Sequence, residues 1–102
     1  MKLRHYSDRE DARKAGWSFF CPGCAQVHTV NISGSQPLWT FNNNEAKPTF
    51  RPSLKIQYWH GEPTRQYICH SIITDGTIAY CSDSTHSLKG QTVPMPDWPY
   101  DE

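Results

Sequence analysis

Two cysteines separated by a Pro-Gly pair, Cys21-Pro22-Gly23-Cys24, constrain the fold of this chain more than any other feature. A Cys-x-x-Cys turn with glycine, where the backbone must bend sharply, supplies two thiolates to one tetrahedral zinc ion. The segments on either side have strand character, so the pattern predicts a strand, a knuckle and a second strand, as in zinc ribbons. A redox site is disfavoured, because a thioredoxin-like Cys-x-x-Cys opens a helix.

The length and charge of the chain limit what it can do. A chain of 102 residues has room for one domain with a modest core, which a bound metal would cross-link. Ten basic and ten acidic side chains cancel, so we expect no nucleic-acid partner and no membrane association. No apolar run approaches the roughly 20 residues that span a bilayer, and no signal peptide is recognisable, so we expect a cytoplasmic protein. In that reducing compartment four cysteines favour zinc over disulfides.

The hydrophobic pattern predicts an α+β fold that is mainly β, a small zinc-ribbon-like antiparallel sheet domain. We expect one zinc-stabilised domain over residues 1–102, with a β core at residues 17–93. The predicted strands are residues 17–20, 27–32, 38–41, 54–59, 66–74 and 77–81.

The two ends of the chain carry different signals. Ser7 followed by Glu10 is a capping box, and helix-forming residues over 8–15 lead to a glycine, so residues 1–16 are predicted to hold one short helix. Residues 94–102 contain three prolines, which predict an extended arm that either packs through its aromatic residues or trails.

An Asp-Gly dipeptide at residues 75–76 predicts a β-hairpin over residues 67–81. A two-residue turn would place His70 opposite Cys81, whereas a turn with a Gly bulge would place Cys69 there. The sequence leaves both registers open. In either register Cys69 and His70 are adjacent on a strand and point to opposite faces, so they are not expected to bind one metal together.

Zinc needs two more ligands beyond the knuckle, and the predicted set is Cys21, Cys24, Cys69 and His86. His28 competes for the fourth position because it lies four residues after the knuckle. Cys81 is expected to pack rather than to bind. Since thiolates donate charge to the metal and blunt its acidity, the zinc is expected to be structural.

Several ordered motifs between residues 17 and 96 together resemble a known family. That family consists of small phage, prophage and bacterial zinc-binding proteins of unknown function, often labelled ammonia monooxygenase. Some of its relatives are encoded beside bacterial ubiquitin-like conjugation enzymes. The motifs that carry the resemblance are Trp17-x-Phe19-x-Cys21-Pro22-Gly23-Cys24-x3-His28, Pro48-Thr49-Phe50-x-Pro52-Ser53, Cys69-His70-Ser71, Asp75-Gly76-x-Ile78 and Asp83-Ser84-Thr85-His86-x-Leu88-x-Gly90-Gln91-Thr92-Val93.

The resemblance implies a phage or bacterial hydrolase of the host cytosol, a serine-type peptidase that acts on a ubiquitin-like protein or another peptide. The family has Ser or Cys at position 84, an exchange that suits a nucleophile, so the predicted catalytic residues are Ser84, His70 as base and Glu45. Asp83 could replace Glu45, and Ser53 could replace Ser84. The structural alternatives are that Ser84 is a turn or cap hydroxyl and that Glu45 is a solvated charge.

A non-catalytic function is the alternative to a hydrolase. A small zinc module could bind a host or defence protein through exposed aromatic side chains, which are frequent anchors of protein interfaces. The candidate contacts are Trp39, Trp59 and Trp98.

Overall fold

The computed structural model describes residues 1–7, 10–11, 13–34 and 36–100 of the chain. Within these residues the regular structure is entirely β, which confirms the mainly β prediction. No described segment forms a helix with the length and hydrophobicity that crossing a bilayer requires. The strands are β1 (Arg4–Ser7), β2 (Ala15–Cys21), β3 (Gln26–Ser33), β4 (Thr40–Phe41), β5 (Phe50–His60), β6 (Arg65–Thr74), β7 (Thr77–Tyr80) and β8 (Thr92–Pro94).

The predicted N-terminal helix is not seen in the described part of residues 1–16. Ser7 ends β1 and pairs with Ala15 at the start of β2, so the capping-box serine is part of a sheet. Between them, Asp11 accepts hydrogen bonds from the backbone and the guanidinium of Arg13 in a tight turn. Pairing with β2 thus overrides the local helix signal, as tertiary context often does. The rest of the predicted segment, Asp8, Arg9 and Ala12, lies outside the described residues.

Two antiparallel sheets make up the fold, with strand orders β1-β2-β3 and β4-β5-β6-β7-β8. Within each sheet the strands pair in their sequence order, so the connections are local. In the first sheet Cys21 at the end of β2 pairs with Gln26 at the start of β3, across the Cys-x-x-Cys turn. The predicted strand, knuckle and strand are confirmed.

A core of apolar side chains is formed by residues that alternate along the strands, as a half-buried sheet requires. In β6 the buried residues are Cys69, Ser71 and Ile73. Met95, just after β8, is also buried, and the backbone N–H of Trp98 donates to the carbonyl of Met1. The predicted C-terminal arm therefore packs against the rest of the fold at Met95 and Trp98. The buried hydrophobic set is Leu3, Phe19, Cys21, Val30, Phe50, Leu54, Cys69, Ile73, Ile78, Tyr80 and Met95.

The β6–β7 hairpin has the two-residue turn. Asp75 and Gly76 both have positive φ, 47° and 78°, as a type I′ turn demands. Past the end of the paired residues, the Cys81 N–H donates to the His70 carbonyl at 2.8 Å, which places these residues opposite each other. Cys69 faces the core and His70 faces outward, as predicted. We call these two sides of β6 the inner face and the outer face.

Candidate active site and metal centre

Four potential metal ligands meet on the inner face, from the knuckle, β3 and β6. The four residues are Cys21, Cys24, His28 and Cys69. A ligand atom of each lies within 4.8 Å of a ligand atom of every other. The Cys21 and Cys69 sulfur atoms are 3.8 Å apart, although 48 positions separate them in the chain. Three thiols and one imidazole are a ligand set typical of structural zinc sites. We call this group the inner cluster.

His28 takes the place in the inner cluster that was predicted for His86. The β2–β3 register sets His28 opposite Phe19, and Phe19 shares its face with Cys21 two residues later. His28 is only 6% exposed, and its Nε2 is buried without a hydrogen-bond partner. A buried polar atom is costly unless something binds it, so this nitrogen fits a metal ligand. The sequence signal for His28 was its position four residues after Cys24.

His86, the predicted fourth ligand, lies beside the inner cluster and is not one of the four residues whose ligand atoms group within 4.8 Å. Its ring packs edge-on against Tyr80 at a centroid distance of 4.5 Å, and its Nδ1 accepts from the Leu88 N–H. A β-carbon at Gly23 would collide with the His86 ring, so the knuckle glycine allows this close approach. His86 Nε2 is also buried without a hydrogen-bond partner.

The inner cluster concentrates negative charge on Cys21. The Cys69 thiol donates to the Cys21 sulfur and, with His28 and Tyr80, lowers the pKa of Cys21 to about 3 against the opposing effect of burial. Burial and the Cys21 charge raise the pKa of Cys24 to about 11, and the hydrogen bond to Cys21 raises the pKa of Cys69. The Tyr80 hydroxyl, 3.0 Å away, supports the Cys21 thiolate. A thiolate among protonated thiols attracts a cation that can displace their protons.

A hydroxyl, an imidazole and a carboxylate lie in series on the outer face. His70 Nε2 is 3.1 Å from Ser53 Oγ, and His70 Nδ1 is 3.0 and 3.1 Å from the two carboxylate oxygens of Asp83. Since an ionised carboxylate only accepts hydrogen bonds, Nδ1 carries the proton and Nε2 is free to accept from Ser53. This is the relation between the members of a Ser-His-Asp triad.

Three neighbouring segments bring these groups together. The β5–β6 register pairs Lys55 with His70, and Ser53 lies two residues before Lys55. The pairing is irregular just before this point, where extra residues in β5 bend the strand and aim Ser53 at the imidazole. On the other side, Cys81 lies opposite His70, and Asp83 follows it after β7.

Asp83 is held in its ionised form. Desolvation raises the pKa of Asp83, but this effect is outweighed by the hydrogen bond with His70, the positive charge that His70 carries when it is protonated, the backbone N–H of Asp83 and the charge of Lys55, so the pKa is lowered overall. Lys55 Nζ lies 3.7 Å from Asp83 Oδ2, and both side chains are about half exposed. The imidazole of His70 therefore faces an anionic partner.

Ser84 lies next to this group, but its hydroxyl bonds to backbone rather than to the imidazole. Its Oγ accepts from the His70 N–H and donates to the His70 carbonyl, both at 3.0 Å, and the residue is buried. The Thr85 hydroxyl likewise accepts from the Ile68 N–H and donates to the Ile68 carbonyl. Residues 84–85 therefore attach the loop after β7 to β6. The geometry thus matches the cap-hydroxyl alternative for Ser84 and places the neighbouring Asp83 beside the His70 ring.

Glu45 lies elsewhere. It is exposed and borders a separate cavity with Lys2 and Asp97, and among the described residues it makes no hydrogen bond to His70. The residues that meet the imidazole are instead the two alternatives, Ser53 and Asp83.

Comparison with known proteins identifies one family. A search of curated proteins and a search of solved structures each find no significant match. The model of the family described as bacterial ubiquitination-like system serine protease (BubE) matches residues 2–81, which include the inner cluster, Ser53 and His70. This agrees with the association with ubiquitin-like systems that the sequence motifs implied. Because the match covers well over half of its 102 residues, the chain belongs to the bacterial ubiquitination-like system serine protease family.

Proposed function

We propose that this protein is a serine protease that cleaves a ubiquitin-like protein or its conjugates, with Ser53 as nucleophile and a structural zinc in the inner cluster. The observation that carries the proposal is the unbroken series Ser53–His70–Asp83, with contacts of 3.0 to 3.1 Å. Membership of a serine protease family supports the reaction class.

In this triad every proton that moves has a donor and an acceptor within reach. Ser53 Oγ attacks the scissile carbonyl while its proton passes to His70 Nε2, which later protonates the leaving amine. Asp83 accepts from Nδ1–H throughout, so it fixes the tautomer and stabilises the imidazolium that forms. The acyl-enzyme is then hydrolysed by a water that the same imidazole activates.

The inner cluster supplies the proposed zinc site. When bound, zinc would cross-link the knuckle, β3 and β6 through three thiolates and one imidazole, a closed set that leaves no position for substrate. Cys69 would thereby fix the strand that carries His70 one residue later.

A protein substrate fits the position of the triad. The His70 side chain is 25% exposed and lies on the outer face of the sheet, where an extended chain can approach Ser53. The family description names a ubiquitination-like system, which supports a ubiquitin-like protein as the partner.

The alternative of a non-catalytic binding module has less support from the aromatic residues. Of the three candidate tryptophans, Trp59 is strongly exposed, at 67%. Trp39 is half-buried, and its indole N–H donates to the Ser53 carbonyl at 3.3 Å. Trp98 is also half-buried, near the N-terminus.

Labelling with a fluorophosphonate, which reacts with activated serines, tests the proposal. Mass spectrometry of the labelled wild-type protein is expected to find the adduct on Ser53, and Ser53→Ala is expected to abolish it. Ser84→Ala should still be labelled on Ser53, and Ser87→Ala, which changes an exposed loop serine, is the matched control. An adduct on Ser84, or undiminished labelling of Ser53→Ala, would overturn the assignment.

A further inference from the structure

A second group of potential metal ligands lies within the proposed triad itself. One ligand atom each from His70, Cys81 and Asp83 lies within 4.8 Å of the other two. We infer that these residues form an inhibitory zinc site on the outer face, through which free zinc switches the protease off. The inference rests on the proposed protease function.

The ligand chemistry of this outer site fits zinc. It offers an imidazole nitrogen, a sulfur and a carboxylate oxygen, three donor types that zinc binds, and it leaves a fourth position for water. Cys81 is a free, half-buried cysteine that neither the inner cluster nor the triad uses. The type I′ turn of the hairpin sets it opposite His70, so the fold itself brings this thiol to the triad.

Zinc at either nitrogen of His70 would stop the proton transfer. A metal on Nε2 occupies the lone pair that must accept the Ser53 proton. A metal on Nδ1 displaces the proton shared with Asp83, so the neutral ring must carry its proton on Nε2 and can no longer act as a base.

The outer site should bind zinc more weakly than the inner cluster. It has three ligands against four, and Asp83 is 46% exposed, so water competes for the metal. Lys55 also lies 3.7 Å from Asp83 and must turn away when a cation arrives. Its half-exposed side chain can do so at small cost. A weak outer site beside a tight inner one allows zinc to inhibit reversibly without affecting the fold.

Cobalt titration tests the site without reference to activity. The full-length protein, with zinc in the inner cluster, is titrated with Co²⁺, which stays out of that cluster because soft thiolates favour zinc. Wild type should develop the absorption of a cobalt–thiolate bond, and Cys81→Ala should not. Removing this ligand should weaken binding by more than the roughly 10–100-fold lost on mutating a residue that merely supports one. Lys55→Met should tighten it. Identical titrations of wild type and Cys81→Ala would overturn the inference.

Labelling of Ser53 with the fluorophosphonate tests the inhibition. Rising free Zn²⁺ should slow labelling of wild type, and Cys81→Ala should remain labelled at zinc concentrations that silence wild type. Labelling that is independent of zinc, or that zinc accelerates, would overturn the inhibitory site while leaving the proposed protease intact. If Ser53 is never labelled, the proposed protease fails, and the cobalt titration alone decides whether the outer site exists.

Discussion

Adjacent residues of β6 serve two different environments. Cys69 is 2% exposed and joins the inner cluster, whose other ligands come from the knuckle and β3. His70 is partly open to solvent, and its ring contacts come from β5 and the loop after β7. The inner face is thus buried and carries four potential metal ligands, whereas the outer face is held together by hydrogen bonds and an ion pair.

Under the proposed function, one strand separates stability from chemistry. A strand places successive side chains on opposite faces. Two neighbouring residues, Cys69 and His70, therefore suffice for a metal ligand on the inner face and a reactive imidazole on the outer face. Substitutions on the inner face should therefore unfold the protein, and substitutions on the outer face should silence it while it stays folded. Substitutions at Cys69, Asp83, Ser84 and Lys55 test that separation.

The largest effect is expected on the inner face, from Cys69→Ala or removal of zinc with a chelator. Structural zinc contributes about 10–16 kcal/mol in zinc-finger peptides, which matches or exceeds the 5–15 kcal/mol that stabilises a typical domain. We expect loss of the folded state, measured by thermal melting followed with circular dichroism. Cys81→Ala is the matched control, since its sulfur is outside the inner cluster, and it should melt like wild type. If Cys69→Ala stayed folded in the presence of chelator, metal binding on the inner face would not be what stabilises the protein.

On the outer face, Asp83→Asn should abolish most of the chemistry and leave the fold intact. The amide can donate to Nδ1 and so favours the tautomer that cannot accept the Ser53 proton, a change worth about 10⁴-fold in a serine protease. We expect the rate of Ser53 labelling to fall by up to that factor, with an unchanged melting temperature and zinc content. A loss of stability like that of Cys69→Ala would show that the two faces are not separate.

The local parts of this arrangement were predictable from the sequence. The knuckle, the Asp75-Gly76 turn and the opposite orientations of Cys69 and His70 depend on a few consecutive residues, whose conformational preferences are strong. The N-terminal helix was wrong because β1 pairs with β2, a contact that a capping box cannot reveal.

The partners of each site were harder to predict because they depend on register between strands. His28 joins the inner cluster through the β2–β3 pairing, and the sequence indicated it only by its spacing from Cys24. Ser53 reaches His70 across an irregular stretch of the β5–β6 pairing, which the sequence marks only by Pro52, since proline within a sheet is found at edges and bulges. The Asp-Ser-Thr run after β7 made Asp83 and Ser84 candidate partners of His70. Which of them contacts the His70 ring and which contacts its backbone depends on tertiary structure.

A smaller effect is expected for Ser84→Ala, which links loop and strand without touching the ring. The substitution leaves the part-buried His70 N–H without this partner, a loss toward the lower end of about 1–3 kcal/mol in the free energy of unfolding. Because Asp83 is then held less firmly, Ser53 labelling should slow, by about tenfold or less, and Ser84→Thr should restore part of it. Urea denaturation and labelling rates measure both effects. Total loss of labelling, with a stable fold, would instead make Ser84 a member of the catalytic group.

The smallest effect is expected for Lys55→Ala, which removes the ion pair with Asp83. Both side chains are about half exposed, and an exposed pair contributes about 0.2–1 kcal/mol, less at high salt. Urea denaturation should therefore show a change within that range, similar to that of the control Lys89→Ala, which alters an exposed loop lysine. Labelling of Ser53 should change little, since His70 still holds Asp83 by two short contacts. A large loss of labelling would mean that the charge of Lys55 positions Asp83, and that the outer face depends on electrostatics more than its hydrogen bonds indicate.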